Sequence, residues 1–118
     1  MKLNLSFDEL CERLAGFGVP SLIFLAAMSA TGVTGAAAIT AALAMLGPGG
    51  MIGGIAFLGI ISLGSQVITK YGYSAIMISV ARKIQKKEGL SYEEMCERID
   101  RFMVSKSLKA KIKETIKR

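Results

Sequence analysis

Apolar residues fall at Phe7, Leu10, Cys11, Leu14 and Phe17, and again at Tyr92, Met95, Cys96, Ile99 and Phe102. The spacing i, i+3, i+4, i+7 places each set on one face of a helix. The two stretches are near copies: LSFDELCERLAGF at 5–17 and LSYEEMCERIDRF at 90–102 agree at seven of 13 positions. Each opens with a capping box, Ser6 with Glu9 and Ser91 with Glu94, in which hydroxyl and carboxylate each accept from the other residue's backbone N–H. Each also carries a hydrophobic staple, Leu5 on Leu10 and Leu90 on Met95. Two short amphipathic helices are therefore predicted.

Between them the pattern changes. Residues 17–46 read FGVPSLIFLAAMSATGVTGAAAITAALAML, apolar on every side, with Pro20 suited to a first helical turn and TGVTG at 31–35 as a weak point. LGPGGMIGG at 46–54 is a turn signal. Met51 to Thr69 is a second apolar segment, Lys70-Tyr71-Gly72-Tyr73 punctuates it, and 74–88 predicts a helix with a basic end and Gly89 as its stop. After the second copy comes a basic amphipathic helix, with Leu108, Ile112 and Ile116 as its stripe and Lys106, Lys109, Lys111 and Lys113 around it.

Charge follows the same division. Leu14 to Thr69, 56 residues, hold no formal charge, while the +6 net charge of the chain belongs to its C-terminal third. About 20 apolar residues of helix cross a hydrocarbon core. Residues 51–69 meet that length, and 19–46 exceed it at roughly 42 Å if straight, which predicts tilt or a break at 31–35. The expected fold is all-α: a Gly/Ala-rich hydrophobic helical hairpin turning at 47–50, or a bundle of short apolar helices, flanked by amphipathic helices. The expected divisions are an N-terminal amphipathic helix at 1–18, membrane-embedded helices at 19–82 and a basic helical tail at 83–118. An uncharged turn between basic flanks puts both termini in the cytoplasm and the hairpin in the cell membrane. The acidic N-terminal helix, with Asp8, Glu9 and Glu12, does not fit the basic n-region of a secretory signal.

Small residues add a packing motif. Gly49 with Gly53 and Gly50 with Gly54 are small-xxx-small pairs, extended by Ala37/Ala41 and Ala38/Ala42, and such surfaces let helices approach closely in lipid. They serve equally as turn glycines. The lysines at 106, 109, 111 and 113 suit either a solvated face or contact with an anionic lipid surface. Without an aromatic platform the basic stripe is weak support for nucleic-acid binding.

The residue inventory argues against chemistry. The chain has no His, so Ser-His and Cys-His nucleophile pairs are excluded, and two Cys cannot fill a four-ligand zinc site. The glycine cluster fits neither G-x-G-x-x-G nor a P-loop. The carboxylates Asp8/Glu9 and Glu93/Glu94 sit in first helical turns, where the helix dipole favours them. Cys11 and Cys96 hold equivalent places in the two copies, as small apolar contacts or as a pair clamping the flanking helices together. No enzyme and no cofactor are expected.

The run from Ile39 to Lys87, ITAALAMLGPGGMIGGIAFLGIISLGSQVITKYGYSAIMISVARKIQKK, resembles the Gly/Ala-rich helical core of circular bacteriocins. The general plan is similar to that of phage holins. Both resemblances imply action on a membrane, and the first implies a compact helical bundle that permeabilises it. The two capping-box helices depart from the bacteriocin pattern. The expected function is a small homo-oligomerising membrane protein that permeabilises a bilayer as a toxin, holin or defence effector. The alternatives are a non-lytic anchor, immunity or regulatory subunit whose flanking helices recruit a protein, and a soluble oligomeric helical bundle.

Overall fold

The computed structural model describes residues 5–31, 56–57 and 59–117, and in these the chain is all-helical. Five helices are described in full: α1 (Phe7–Ala15), α2 (Val19–Thr31), α3 (Ser65–Glu88), α4 (Tyr92–Asp100) and α5 (Lys106–Ile116). Residues 56, 57 and 59–63 are helical as well and lead into α3. The turn at 47–50, the break at 31–35, the glycines 49, 50, 53 and 54 and the Ala37–Ala42 pairs lie outside the described residues.

α2 organises the packing. It is apolar all round, and Leu22, Ile23, Phe24, Leu25 and Ala26 are all at most 2% exposed. It touches each of α1, α3, α4 and α5. The amphipathic helices turn their apolar stripes inward around it: Leu10, Cys11 and Leu14 from α1, Met95 and Ile99 from α4, Ile112 and Ile116 from α5. The C-terminal helix is thus part of the core rather than a detached tail. Ser21, a fully buried polar side chain of α2, donates its hydroxyl to the Gly18 carbonyl at 2.8 Å. Gly18 takes φ +75° to turn the chain from α1 into α2.

Both copies of the repeated segment form helices of nine residues with complete capping boxes. Their Ser6 and Ser91 caps have nearly the same backbone, φ/ψ −73°/168° and −77°/169°. The copies have different neighbours. α1 lies mainly on α3, whereas α4 lies on α2 and α5.

The apolar segment Met51–Thr69 was expected to be interrupted at Gly59 and Gly64, and the structure breaks it at the second of these. Where it is described, the helix ends at Gly64 and a new one starts at Ser65. α3 starts nine residues before the helix expected over 74–88, but its piece beyond Gly72 coincides with that helix and stops at the left-handed Gly89 as expected. Inside α3, Gly72 has φ 84° and ψ 161°, a conformation essentially restricted to glycine, so α3 is two helical pieces joined at a bend. Among the described residues no helix is long and apolar enough to cross a membrane.

Gly64 exists where it does because of α1. A Cβ on it would stand 2.5 Å from Leu10 Cδ1 and 2.8 Å from Cδ2, and Leu10 is fully buried. Gly64→Ala should overpack this contact and lower stability by about 1–3 kcal/mol, read by urea unfolding. Ser91→Ala should cost about 1 kcal/mol through loss of the α4 cap.

Candidate functional site: a buried apolar helix under a charged sheath

The sequence places its cations on the outer turns of α3, α4 and α5, and the structure uses many of them to tie helices together. Lys83 of α3 reaches two carboxylates of α1, donating to Asp8 Oδ1 at 2.9 Å and Glu12 Oε1 at 3.4 Å. These bonds raise the Lys83 pKa above its ordinary value, the Asp8 hydrogen bond being the largest cause. Arg98 of α4 donates to Glu88 at the end of α3 at 2.6 Å. Lys113 of α5 donates to Asp100 of α4 at 2.6 Å, and Tyr92 of α4 returns a bond to the Lys113 carbonyl at 3.1 Å. Basic side chains thus clasp α3 to α1, α4 to α3 and α5 to α4.

The tail lysines expected at a lipid surface divide. Lys109 donates to the Asp100 carbonyl at 2.9 Å, Lys111 to the Ser29 hydroxyl of α2 at 3.2 Å, and Lys113 to Asp100. Lys106 is exposed in the first turn of α5. Three of the four ammonium groups thus hold α5 against α4 and α2. Sequence spacing placed these lysines on the polar face but could not show that α4 and α2 would offer acceptors there.

Cys11 is buried and Cys96 half-buried, and both are free thiols. Burial pushes the Cys11 thiol pKa up; a hydrogen bond with Ser79 of α3 and the nearby Lys83 oppose this. Cys96 instead hydrogen-bonds Tyr92 on its own helix, and this is the leading reason that the Tyr92 phenol titrates above its ordinary value. The equivalent cysteines therefore face different surroundings, Cys11 the α1–α3 seam and Cys96 the neighbourhood of Tyr92. The expected clamp between them is a juxtaposition that the principal helix contacts do not favour.

Aromatic contacts fix the apolar pieces to α1 and α2. Phe57 is fully buried, its ring 4.8 Å from Phe24 of α2 and 6.0 Å from Phe17. Tyr71, next to the bend, stacks at 4.6 Å on Phe7 at the start of α1, with the Lys70 ammonium 5.4 Å from the Tyr71 ring. The Leu5 N–H donates to the Leu63 carbonyl at 3.2 Å. Leu5, Phe7 and Leu10 thus hold residues 63–71, which pattern alone did not pair with the N-terminal helix.

No buried side-chain nitrogen or oxygen lacks a hydrogen-bond partner among the described residues. The arrangement encloses an apolar helix, α2, within amphipathic ones. In comparisons with protein-family models, curated proteins and solved structures the chain finds no match.

A raised lysine pKa stabilises the fold at every pH below the ordinary value of 10.5, and that contribution is lost as pH rises through the higher folded-state value. Lys83→Met should therefore lower the melting temperature at neutral pH, by less in high salt. The gap from the native chain should close in strongly alkaline buffer, as measured by circular dichroism melts.

Proposed function

We propose that the chain is a small membrane-active protein that carries apolar helices under a sheath of amphipathic ones and delivers them to a bilayer. The observation that carries this reading is α2: a helix with no polar face, covered by α1, α3, α4 and α5. In water that helix is stable only while covered. In hydrocarbon the cover is not required, because the backbone bonds of a helix are already internal. The inserted form is a Gly/Ala-rich hairpin turning at 47–50, with both termini on the cytoplasmic side. Gly49, Gly50, Gly53 and Gly54 set the close approach that assembles copies into a permeabilising oligomer. The bend at Gly72 and the glycine at 64 divide the apolar segment from the charged half of α3, so the two can part without breaking a regular helix.

A second reading is a bundle that stays closed and recruits a protein through α1 or α4. The observation favouring it is that Lys109, Lys111 and Lys113 bond acceptors of α4 and α2 at the surface.

Induced expression in bacteria with a membrane-potential dye separates the two. Rapid depolarisation, with the protein retained by membranes through carbonate washing, is expected of the first. A steady potential with all of the protein released by carbonate would overturn it. Replacing Gly53 and Gly54 with Leu should abolish both depolarisation and detergent-stable oligomers; unchanged oligomers would remove the glycine packing from the proposal.

A further inference from the structure

One face of α3 is built unlike the others. Ala75, Ile78, Ser79, Arg82, Lys83 and Lys86 line a shallow depression along it, and Lys83, Lys86 and Lys87 continue into a second one beside Glu12 and Ala15 of α1. The residues 75, 78, 79, 82 and 86 follow helical spacing, so this is one strip running away from the bend at Gly72. Its first turn is apolar and its last turns are cationic. Ile78 is half-buried but does not belong to the hydrophobic core or to the side chains packed against it. Among the described residues its apolar surface is not taken up by that core.

The charges that face the strip are few. Asp8 and Glu12 come from α1, and both are held by Lys83. Glu88, one turn beyond, is held by Arg98. Lys86 and Lys87 are exposed and make no ion pair among the described residues. Lys86 and Lys87 thus carry positive charge that no described residue neutralises, in contrast to α5, where three of the four lysines named above are engaged.

We infer that this strip of α3, rather than the lysines of α5, is where the protein first meets an anionic phospholipid surface. Lys86 and Lys87, with Arg82, meet the headgroup phosphates, while Ile78 lies toward the acyl boundary. An apolar side chain beside a row of cations on one helix face is the pattern of an interfacial helix. Such cations are drawn to an anionic leaflet and are screened by salt. The inference rests on the membrane reading above and adds to it the face that docks.

The test is co-sedimentation of the full chain with vesicles of mixed phosphatidylglycerol and phosphatidylcholine. Each cation removed from the docking strip should weaken partitioning about fivefold, so Lys86→Gln with Lys87→Gln should lower it about 25-fold at low salt. Lys106→Gln with Lys117→Gln, which removes the exposed lysines in the first turn and at the C-cap of α5, should change it far less. The chain has no Trp, so an Ile78→Trp variant gives a single reporter, and its emission should shift to the blue on adding these vesicles. Circular dichroism confirms that each variant is folded. Equal losses in the two double variants, loss only in the α5 variant, or an unshifted Ile78→Trp emission with the vesicles bound would overturn the α3 assignment while leaving membrane action standing. Failure of the native chain to bind any vesicles would overturn both.

Discussion

A helix without a polar face must be covered, and the rest of the described fold follows from that constraint. α2 offers Leu22, Ile23, Phe24 and Leu25 in succession, so every direction around its axis is apolar. A sheath needs helices with one apolar stripe each, and α1, α4 and α5 supply them. Those helices are short, and short helices hold their ends poorly unless capped. The Ser-x-x-Glu boxes of α1 and α4 and the Ser105 cap of α5 answer that need. At α4 the cap is also electrostatic: the bonds with Ser91, its backbone N–H foremost, hold the Glu94 carboxyl below its ordinary pKa. Its contribution is therefore complete above the ordinary carboxylate value and is lost as the pH falls through the lower folded-state value.

The repeated segment shows what a duplicated sequence can and cannot fix. Both copies specify the same start, the same length and the same inward face, and all three are local properties. Their partners are set by what surrounds them. In the first copy Phe7 meets Tyr71 and Leu10 meets Gly64, while in the second Tyr92 reaches across to the Lys113 carbonyl. Identical cysteines consequently occupy unlike sites. A matching pair of helices implied a symmetric clamp, and the structure instead gives each helix its own seam.

What was legible in the sequence was legible because it is encoded within a turn or two of helix. The caps at Ser6 and Ser91, the stop at Gly89 and the apolar stripes of α1, α4 and α5 are of that kind. The bend at Gly72 was visible only as punctuation in Lys70-Tyr71-Gly72-Tyr73, since a single glycine is as compatible with a continuous helix as with φ 84°. Gly64 was legible as an interruption of the apolar segment, but its cause was not, because that is Leu10, more than fifty positions away. The fate of the α5 lysines was hidden for the same reason: their acceptors are a carbonyl and a carboxylate of Asp100 and a hydroxyl on α2. Long-range acceptors leave no trace in a periodic pattern.

Stability is distributed unevenly between the stored helix and its cover. α2 is held by burial, which strengthens with every apolar atom removed from water. The ties between sheath helices are ion pairs whose carboxylates are a third to four-fifths exposed, such as Glu88 at 35% and Asp8 at 79%. Exposed pairs of this kind contribute little to stability and weaken in salt. They specify which helix lies beside which, and they release at small cost when another anion competes for the cation. The apolar seam of α1 on α3 is the larger barrier, and Leu10, Cys11 and Leu14 make it. Under the proposed membrane action, opening parts the amphipathic helices and keeps α2 intact. Both the closed bundle and the inserted hairpin can therefore share the same central helix.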